Sequence, residues 1–149
     1  MAHLRASDLS ALQRRDLDTF VQVMLARGWQ PSGTFGILFE QGWAVPYQAE
    51  FSLRRTRTSL IVRYICGSGD TTVNLTLHDA TDNQMLALRS ERPDPVSIHQ
   101  LIGHAEELPS QGVRRVLEAI AASALPITLN VRDTYLPLDA ALIRRLYSR

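Results

Sequence analysis

Cys66, the single cysteine of the chain, is the residue best suited to nucleophilic chemistry. A reactive thiolate needs a neighbouring base, and His78 is the candidate on the adjoining predicted strand. Strand pairing sets Cys66 opposite Thr71 and His78 opposite Ser59, so about 23 Å of strand separates the two side chains at 3.3 Å per residue. We therefore interpret Cys66 as a buried structural thiol, since free cysteine packs as a small hydrophobe. One cysteine also fits a reducing compartment.

A second group of chemically capable residues lies on one predicted helix, where His99, His104, Glu106 and Glu107 are close in sequence. Helical metal sites place their ligands three or four residues apart, whereas the two histidines are five apart and only His104 and Glu107 share a face. The one further candidate metal ligand is His78, which lies on a predicted strand. We therefore interpret the group as solvated helix residues, and we expect no metal and no cofactor.

The absence of lysine excludes several enzyme classes, because all 16 basic residues are arginine. A Walker A loop, a pyridoxal phosphate Schiff base and a kinase-type lysine are all missing. Ser68 lies between glycines, but in a predicted hairpin loop and not in the strand-to-helix turn of a hydrolase. We predict no catalytic residues and expect a protein that is not an enzyme, with an enzyme of an unrecognised class as the third possibility.

Arginines gather at one predicted hairpin tip, Arg54, Arg55 and Arg57, and on the last helix, Arg144 and Arg145. Such residues can bind phosphate groups, so a nucleic-acid-binding protein is the alternative prediction. Two observations weaken it. The net charge is only +1, and every aromatic residue of the predicted sheet faces the core, whereas readers of single strands stack bases on exposed rings.

Length and composition indicate one soluble domain over residues 1–149, with 45% hydrophobic and 21% charged residues. No leader or membrane-spanning segment is evident, so we expect a cytoplasmic protein without a membrane partner. Charge is distributed unevenly: residues 1–63 carry +3, residues 64–107 carry −5 and residues 108–149 carry +3. This bipolar pattern suits protein partners better than nucleic acid.

The N-terminal half predicts a helix followed by strands. Ser7 or Ser10 begins the helix and Gly28 ends it, and alternating Phe35, Ile37 and Phe39 predict a short strand over 34–40. The strongest pattern is an antiparallel meander of four strands over about 45–55, 58–66, 71–79 and 84–90, separated by turn-forming residues.

Matching of apolar residues predicts the register, because a slip of one residue would reverse the faces of a strand. Phe51 and Leu53 then lie opposite Val62 and Leu60, and the pattern continues through Leu75 and Leu77 to Leu88 and Leu86. One continuous apolar face results. The other face pairs Glu50 with Arg63 but also carries Ile61, Ile65 and Met85, for which no cover is predicted.

The C-terminal half predicts helices around one further strand. The signals are Asp94 and Pro95 for a helix that Pro109 ends, Ser110 for a helix that Pro126 ends, a strand over 127–131, and Pro137 or Asp139 for the last helix. The fold class is thus α+β: an N-terminal helix, an antiparallel meander of four to five strands, then two to three helices with one short strand. This element order is broadly similar to that of small binding folds such as type III secretion chaperones.

The sequence thus predicts a protein-binding module of chaperone, inhibitor or immunity type that uses the outer face of its sheet to bind another protein or a second copy of itself as a homodimer. Exposed apolar residues rimmed by arginine are typical of interfaces. The predicted contact residues are Arg54, Ile61, Arg63, Ile65, Asn74, Met85 and Arg89. In the competing interpretation, a C-terminal helix covers this face and Ile61, Ile65 and Met85 belong to a second core.

Overall fold

The computed structural model describes residues 10–42, 48–67, 70–91 and 94–148. The predicted strand residues 45–47, Ser7 as a helix start, and Ser68 lie outside the described residues. The helices are α1 (Ala11–Ala26), α2 (Gly33–Glu40), α3 (Pro95–Ala105), α4 (Leu108–Gln111), α5 (Val113–Ala122) and α6 (Ala140–Tyr147). The strands are β1 (Gln30–Pro31), β2 (Gln48–Arg54), β3 (Thr58–Cys66), β4 (Thr71–Asp79), β5 (Gln84–Ser90), β6 (Thr128–Val131) and β7 (Thr134–Pro137).

All seven strands form one antiparallel sheet in the order of the chain, so the α+β prediction is confirmed with more strands than expected. The two unpredicted strands lie at the edges. β1 pairs Gln30 with Ser52, and β7 folds back on β6 through a two-residue turn. That turn has positive φ at Arg132 (52°) and Asp133 (67°), the geometry that matches the natural twist of a hairpin.

The register of the meander agrees with the register that apolar matching predicts. Phe51 lies opposite Val62, Val62 opposite Leu75, and Leu75 opposite Leu88. β6 continues the same apolar row, since Leu129 lies opposite Leu88. Burial of one side decides the pairing, because a slipped strand would expose its leucines and bury its arginines.

The strand predicted over 34–40 is wrong, because this segment is helix α2. Phe35 and Phe39 lie one helical turn apart, and their rings contact each other with centroids 5.4 Å apart while Phe35 also contacts Phe51. Gly36 is buried against the backbone of Pro31, where a Cβ would come within 2.7 Å of the carbonyl group. Both phenylalanines thus reach the core from a helix that packs against β1 and β2.

The predicted start is confirmed for the first and the last of the C-terminal helices, whereas Ser110 as the start of the helix between them is wrong, because Ser110 lies in α4. Asp94 caps α3 and Asp139 caps α6, each through its carboxylate. α3 ends at Ala105, before Pro109, which instead lies in short α4. α5 begins at Val113, after Gly112 turns the chain with a φ of +83°. None of the described helices combines the length and apolar content that crossing a bilayer requires.

One core joins the helices to one face of the sheet. The Phe20 ring of α1 stacks on Tyr64 with centroids 4.8 Å apart and meets Phe51 edge-on at 5.9 Å. α5 buries Leu117 and Ile120 completely in the same core. The sheet is therefore packed on one side by the long helices.

An ion pair links the end of α1 to the end of α3. The Arg27 guanidinium donates two hydrogen bonds to the Glu106 carboxylate, and the buried Trp29 indole donates a third at 2.8 Å. Burial alone would raise the pKa of the Glu106 carboxyl, but the hydrogen bonds from Arg27 and Trp29 together lower it below its ordinary value. The pair is partly shielded, with side-chain exposures of 34% and 22%.

We expect Glu106→Gln to lower the free energy of unfolding by about 1–2 kcal/mol at pH 7, because a neutral amide cannot accept both charge-assisted bonds and the pair is partly screened. Since the folded pKa is depressed, the contribution of Glu106 is complete above the unfolded value of about 4.3 and is lost as the pH falls through the folded pKa. Urea titrations at a series of pH values measure it.

The matched control is Glu118→Gln, which removes the exposed pair between Arg114 and Glu118 on α5. We expect it to cost about 0.5 kcal/mol or less. If the gap between wild type and Glu106→Gln stayed constant from neutral pH to below about pH 4, the carboxylate would not be the stabilising species.

Candidate functional site

The candidate site is the side of the sheet that points away from the core, which we call the open face. Its rows run across strands β2 to β5 and are set by the observed register. Listed by row, they are Arg54, Ser59, His78 and Met85; then Ser52, Ile61, Thr76 and Ala87; then Glu50, Arg63, Asn74 and Arg89; then Gln48, Ile65 and Thr72. The row of Glu50, Arg63, Asn74 and Arg89 is the charged row, while Ile61, Ile65 and Met85 lie among polar or charged residues in the other three rows.

The apolar residues of the open face remain accessible. Ile61 is 37% exposed and Met85 is 69% exposed, while Ile65 is half-buried. In the competing interpretation, a C-terminal helix covers this face. Among the described residues, α3, α5 and α6 instead bury their apolar sides in the core on the opposite side of the sheet. Ile61 and Met85 are therefore surface residues of the described protein.

Glu50 and Arg63 form the predicted cross-strand pair at the β2 side of the charged row. One Glu50 oxygen accepts from the Arg63 guanidinium at 2.9 Å and 3.2 Å, and the other accepts from the Ser32 hydroxyl at 2.9 Å. Gly33, with a φ of +62°, allows this approach, because a Cβ there would collide with the carboxylate. The first turn of α2 thus holds Glu50, and Glu50 holds Arg63 on the open face.

Arg89 and Asn74 lie side by side at the β5 side of the same row. The Arg89 guanidinium stacks on the Tyr135 ring of β7, 3.7 Å from its centroid, and stands 3.8 Å from the Glu91 carboxylate. Arg89 Nε and the Asn74 side-chain oxygen are shielded from solvent, yet neither has a hydrogen-bond partner within the described part of the chain. Unmet polar groups of this kind cost free energy until a partner supplies the missing bond.

The structure separates Cys66 from His78, in agreement with the prediction. Cys66 pairs with Thr71 and is buried on the core side, while His78 pairs with Ser59 on the open face. Burial raises the pKa of the Cys66 thiol, and it raises the pKa of the neighbouring Tyr64 hydroxyl to about 12. Both groups are therefore protonated at neutral pH.

The interpretation of the α3 cluster as solvated residues is half right. His99 and Glu107 are exposed, but Glu106 is engaged by Arg27, and the His104 ring nitrogen lies 2.8 Å from the Ser123 hydroxyl of the loop after α5. Within the described residues, no three histidine, cysteine, aspartate or glutamate side chains come together.

The two arginine groups of the nucleic-acid alternative do not form one surface. Arg54, Arg55 and Arg57 are exposed at the β2–β3 turn, and Arg144 and Arg145 are exposed on α6. The turn after β4 lies between them: its Ala80 amide bonds to the Arg57 carbonyl, and its Asp82 lies near Tyr147 at the end of α6, which Gln84 at the start of β5 also contacts. The carboxylate of this turn thus interrupts the basic surface.

Sequence reasoning missed a cleft between α1 and α3. It encloses about 350 Å³, including its open mouth, and is lined by Asp16, Thr19, Phe20, Val23, Tyr64, Pro95, Ile98 and His99. Its floor is the stacked pair of Phe20 and Tyr64, and one ionisable residue stands on each helix. The meeting of two helices that are far apart in the chain creates this cleft, so no local sequence pattern signals it.

Comparison of the chain with protein-family models, with curated proteins and with solved structures finds no match. The similarity of element order to type III secretion chaperones therefore stays a prediction. The function is inferred below from the open face itself.

The difference between the two faces is testable with one substitution type on neighbouring residues of β3. We expect Ile61→Thr to change the free energy of unfolding by about 0.5 kcal/mol or less, because threonine suits a strand and the site is exposed. We expect Val62→Thr, at a fully buried position, to cost about 1–3 kcal/mol, because it buries a hydroxyl without a partner. Equal losses in urea titrations would mean that both faces are packed.

Cys66 should resist modification in the folded protein. Because it is buried and its thiol pKa is raised, we expect Ellman's reagent to label it at least about a hundredfold more slowly in buffer than in urea at the same pH. The absorbance of the released dye measures both rates. Comparable rates would contradict the interpretation of Cys66 as a structural thiol.

Proposed function

We propose that this protein is a non-enzymatic binding module that holds a segment of another polypeptide on its open face. The observation that carries this proposal is the exposure of Ile61 and Met85 beside a charged row, on a sheet whose long helices all pack on the other side. Exposed apolar residues bordered by arginine are typical of protein interfaces. Chaperone, inhibitor and immunity proteins all bind partners in this general way.

The charges of the open face indicate what the segment carries. Arg54 and Arg63 are exposed, and Arg89 is partly exposed, whereas Glu50 is largely enclosed between Ser32 and Arg63. A partner that places apolar side chains on Ile61 and Met85 and acidic groups near the arginines complements this pattern.

The size of the face favours a segment over a second folded copy. Strands β2 to β5 at about 4.8 Å spacing and nine residues of about 3.3 Å each give a projected area of roughly 570 Å². A standard interface needs about 800 Å² from each partner. Face-to-face dimerisation would also bring arginine rows together, so self-association is the outcome that the test must separate from segment binding.

Binding of nucleic acid through Arg54, Arg55 and Arg57 ranks second. The acidic turn after β4 interrupts the basic surface on the way to α6. Tyr135, an aromatic residue on the open side of β7, is covered by Arg89 instead of being free to stack on a base.

The test is selection of random linear peptides displayed on phage against the immobilised wild-type chain. We expect enriched sequences to combine apolar with acidic residues, and synthetic versions to lose at least about tenfold in affinity for Ile61→Asp or Met85→Asp. Titration calorimetry measures the affinities. The matched control is Leu12→Asp, which places the same charge on an exposed leucine of α1 and should leave the affinity unchanged.

Two results would overturn the proposal. Selected peptides that bind Ile61→Asp as well as wild type would place the site elsewhere. A dimer in light scattering that survives salt and becomes monomeric with Ile61→Asp would assign the open face to a second copy. Binding that falls steeply with salt and is lost with Arg57→Glu would instead support nucleic acid.

A further inference from the structure

A second surface lies at the far edge of the sheet, between β7 and α6. It is an open groove whose apolar wall consists of Val131, Leu136, Leu142 and Leu146 and whose rim carries Arg132 and Arg145. Leu146 is 39% exposed, although it stands on the helix face that points to the core. This edge groove is separate from the open face, which lies on the other side of the sheet.

The backbone of β7 borders the groove with unpaired hydrogen-bonding groups. β7 is the last strand of the sheet, so its outer edge has no neighbouring strand among the described residues. The Leu138 amide bonds to the Ile127 carbonyl, and bonded pairs alternate along an antiparallel ladder. The amide and carbonyl of Tyr135, and the carbonyl of Pro137, therefore point outward.

The charges of the groove indicate which kind of partner it binds. Both ionisable residues that line it are arginines, and no acidic side chain lines it. A second copy paired through β7 would present the same lining, which carries arginines and no carboxylate to meet them. An extended segment of another chain, with acidic residues near the rim and apolar residues between them, suits both the charges and the leucine wall.

We propose that the β7 edge groove binds an acidic, extended polypeptide segment, which adds to the sheet as a further strand beside β7. The segment's backbone pairs with Tyr135 and Pro137, and its alternate side chains enter the groove against Leu136, Leu142 and Leu146. Arg132 and Arg145 bind the acidic side chains. Pro137, which has no amide hydrogen, limits the pairing to a short stretch.

The experiment uses a fluorescein-labelled peptide titrated with the full chain in fluorescence anisotropy. Successive side chains of a strand point to opposite sides, so every second residue of the peptide faces the groove. These positions carry valine in the middle and glutamate at each end, and the positions between them carry threonine. We expect binding that weakens with salt. The double variant Arg132→Asn and Arg145→Gln should lose at least about tenfold in affinity. Asparagine is chosen at position 132 because it tolerates the positive φ of that turn residue.

The matched protein control is the double variant Arg115→Gln and Arg144→Gln, which removes the same charge from exposed positions outside the groove. It should change the affinity by less than about twofold. The matched peptide control carries N-methyl groups on one set of alternate amides. Methylation of the set that faces β7 should abolish binding, and methylation of the other set should leave it intact.

Hydrogen exchange locates the bound peptide. The outward Tyr135 amide should exchange fast in the free chain and at least about tenfold more slowly with the peptide present. Equal binding by both arginine double variants, or by a peptide with lysine in place of glutamate, would overturn the proposal. A slow Tyr135 amide in a dimeric free chain would assign the edge to a second copy. We expect Ile61→Asp to leave the affinity for this peptide unchanged, so the experiment tests the edge groove independently of the open face.

Discussion

Alternation of side chains along the central strands is the constraint on which the rest of the structure depends. Once Phe51, Val62, Leu75 and Leu88 share one row, the next row of the same side carries Leu53, Leu60, Leu77 and Leu86. The helices then have a single surface on which to bury their own apolar sides. The residues that lie between these along each strand then point to the opposite side of the sheet. On that side, Ile61 and Met85 stand beside arginines without cover from the described helices.

A helix layer on one side of a sheet must be fixed in place by more than apolar contact, since apolar attraction is not directional. The Arg27–Glu106 pair meets this need at one end of the layer, where it joins α1 to α3 beside the buried Trp29 indole. On the other side of the sheet, Ser32 and Arg63 both bind Glu50, which joins α2 to the charged row. Polar groups thus orient the elements that apolar burial brings together.

The meander and its register were predictable from the sequence, because apolar residues on four long strands constrain one another. Helix α2 was not: residues 35, 37 and 39 alternate like a strand, yet 35 and 39 also lie one helical turn apart. Strand β7 was missed because arginine and aspartate occupy a turn that usually contains glycine. The role of Glu106 depends on a contact with Arg27 across 79 positions, which no local pattern reveals.

The one-sided architecture explains why two kinds of surface arise on one small domain. A sheet covered on both sides exposes only its edges to partners, whereas this sheet also exposes one broad side that carries apolar and charged residues. At the edge, β7 is short and ends in proline, which limits its pairing with other chains. The apolar side chains of α6 beside β7 favour a partner that lies along the groove. In the two proposals, the broad side contacts the side chains of a partner and the edge pairs with its backbone, so a partner long enough to reach both would make two independent kinds of contact.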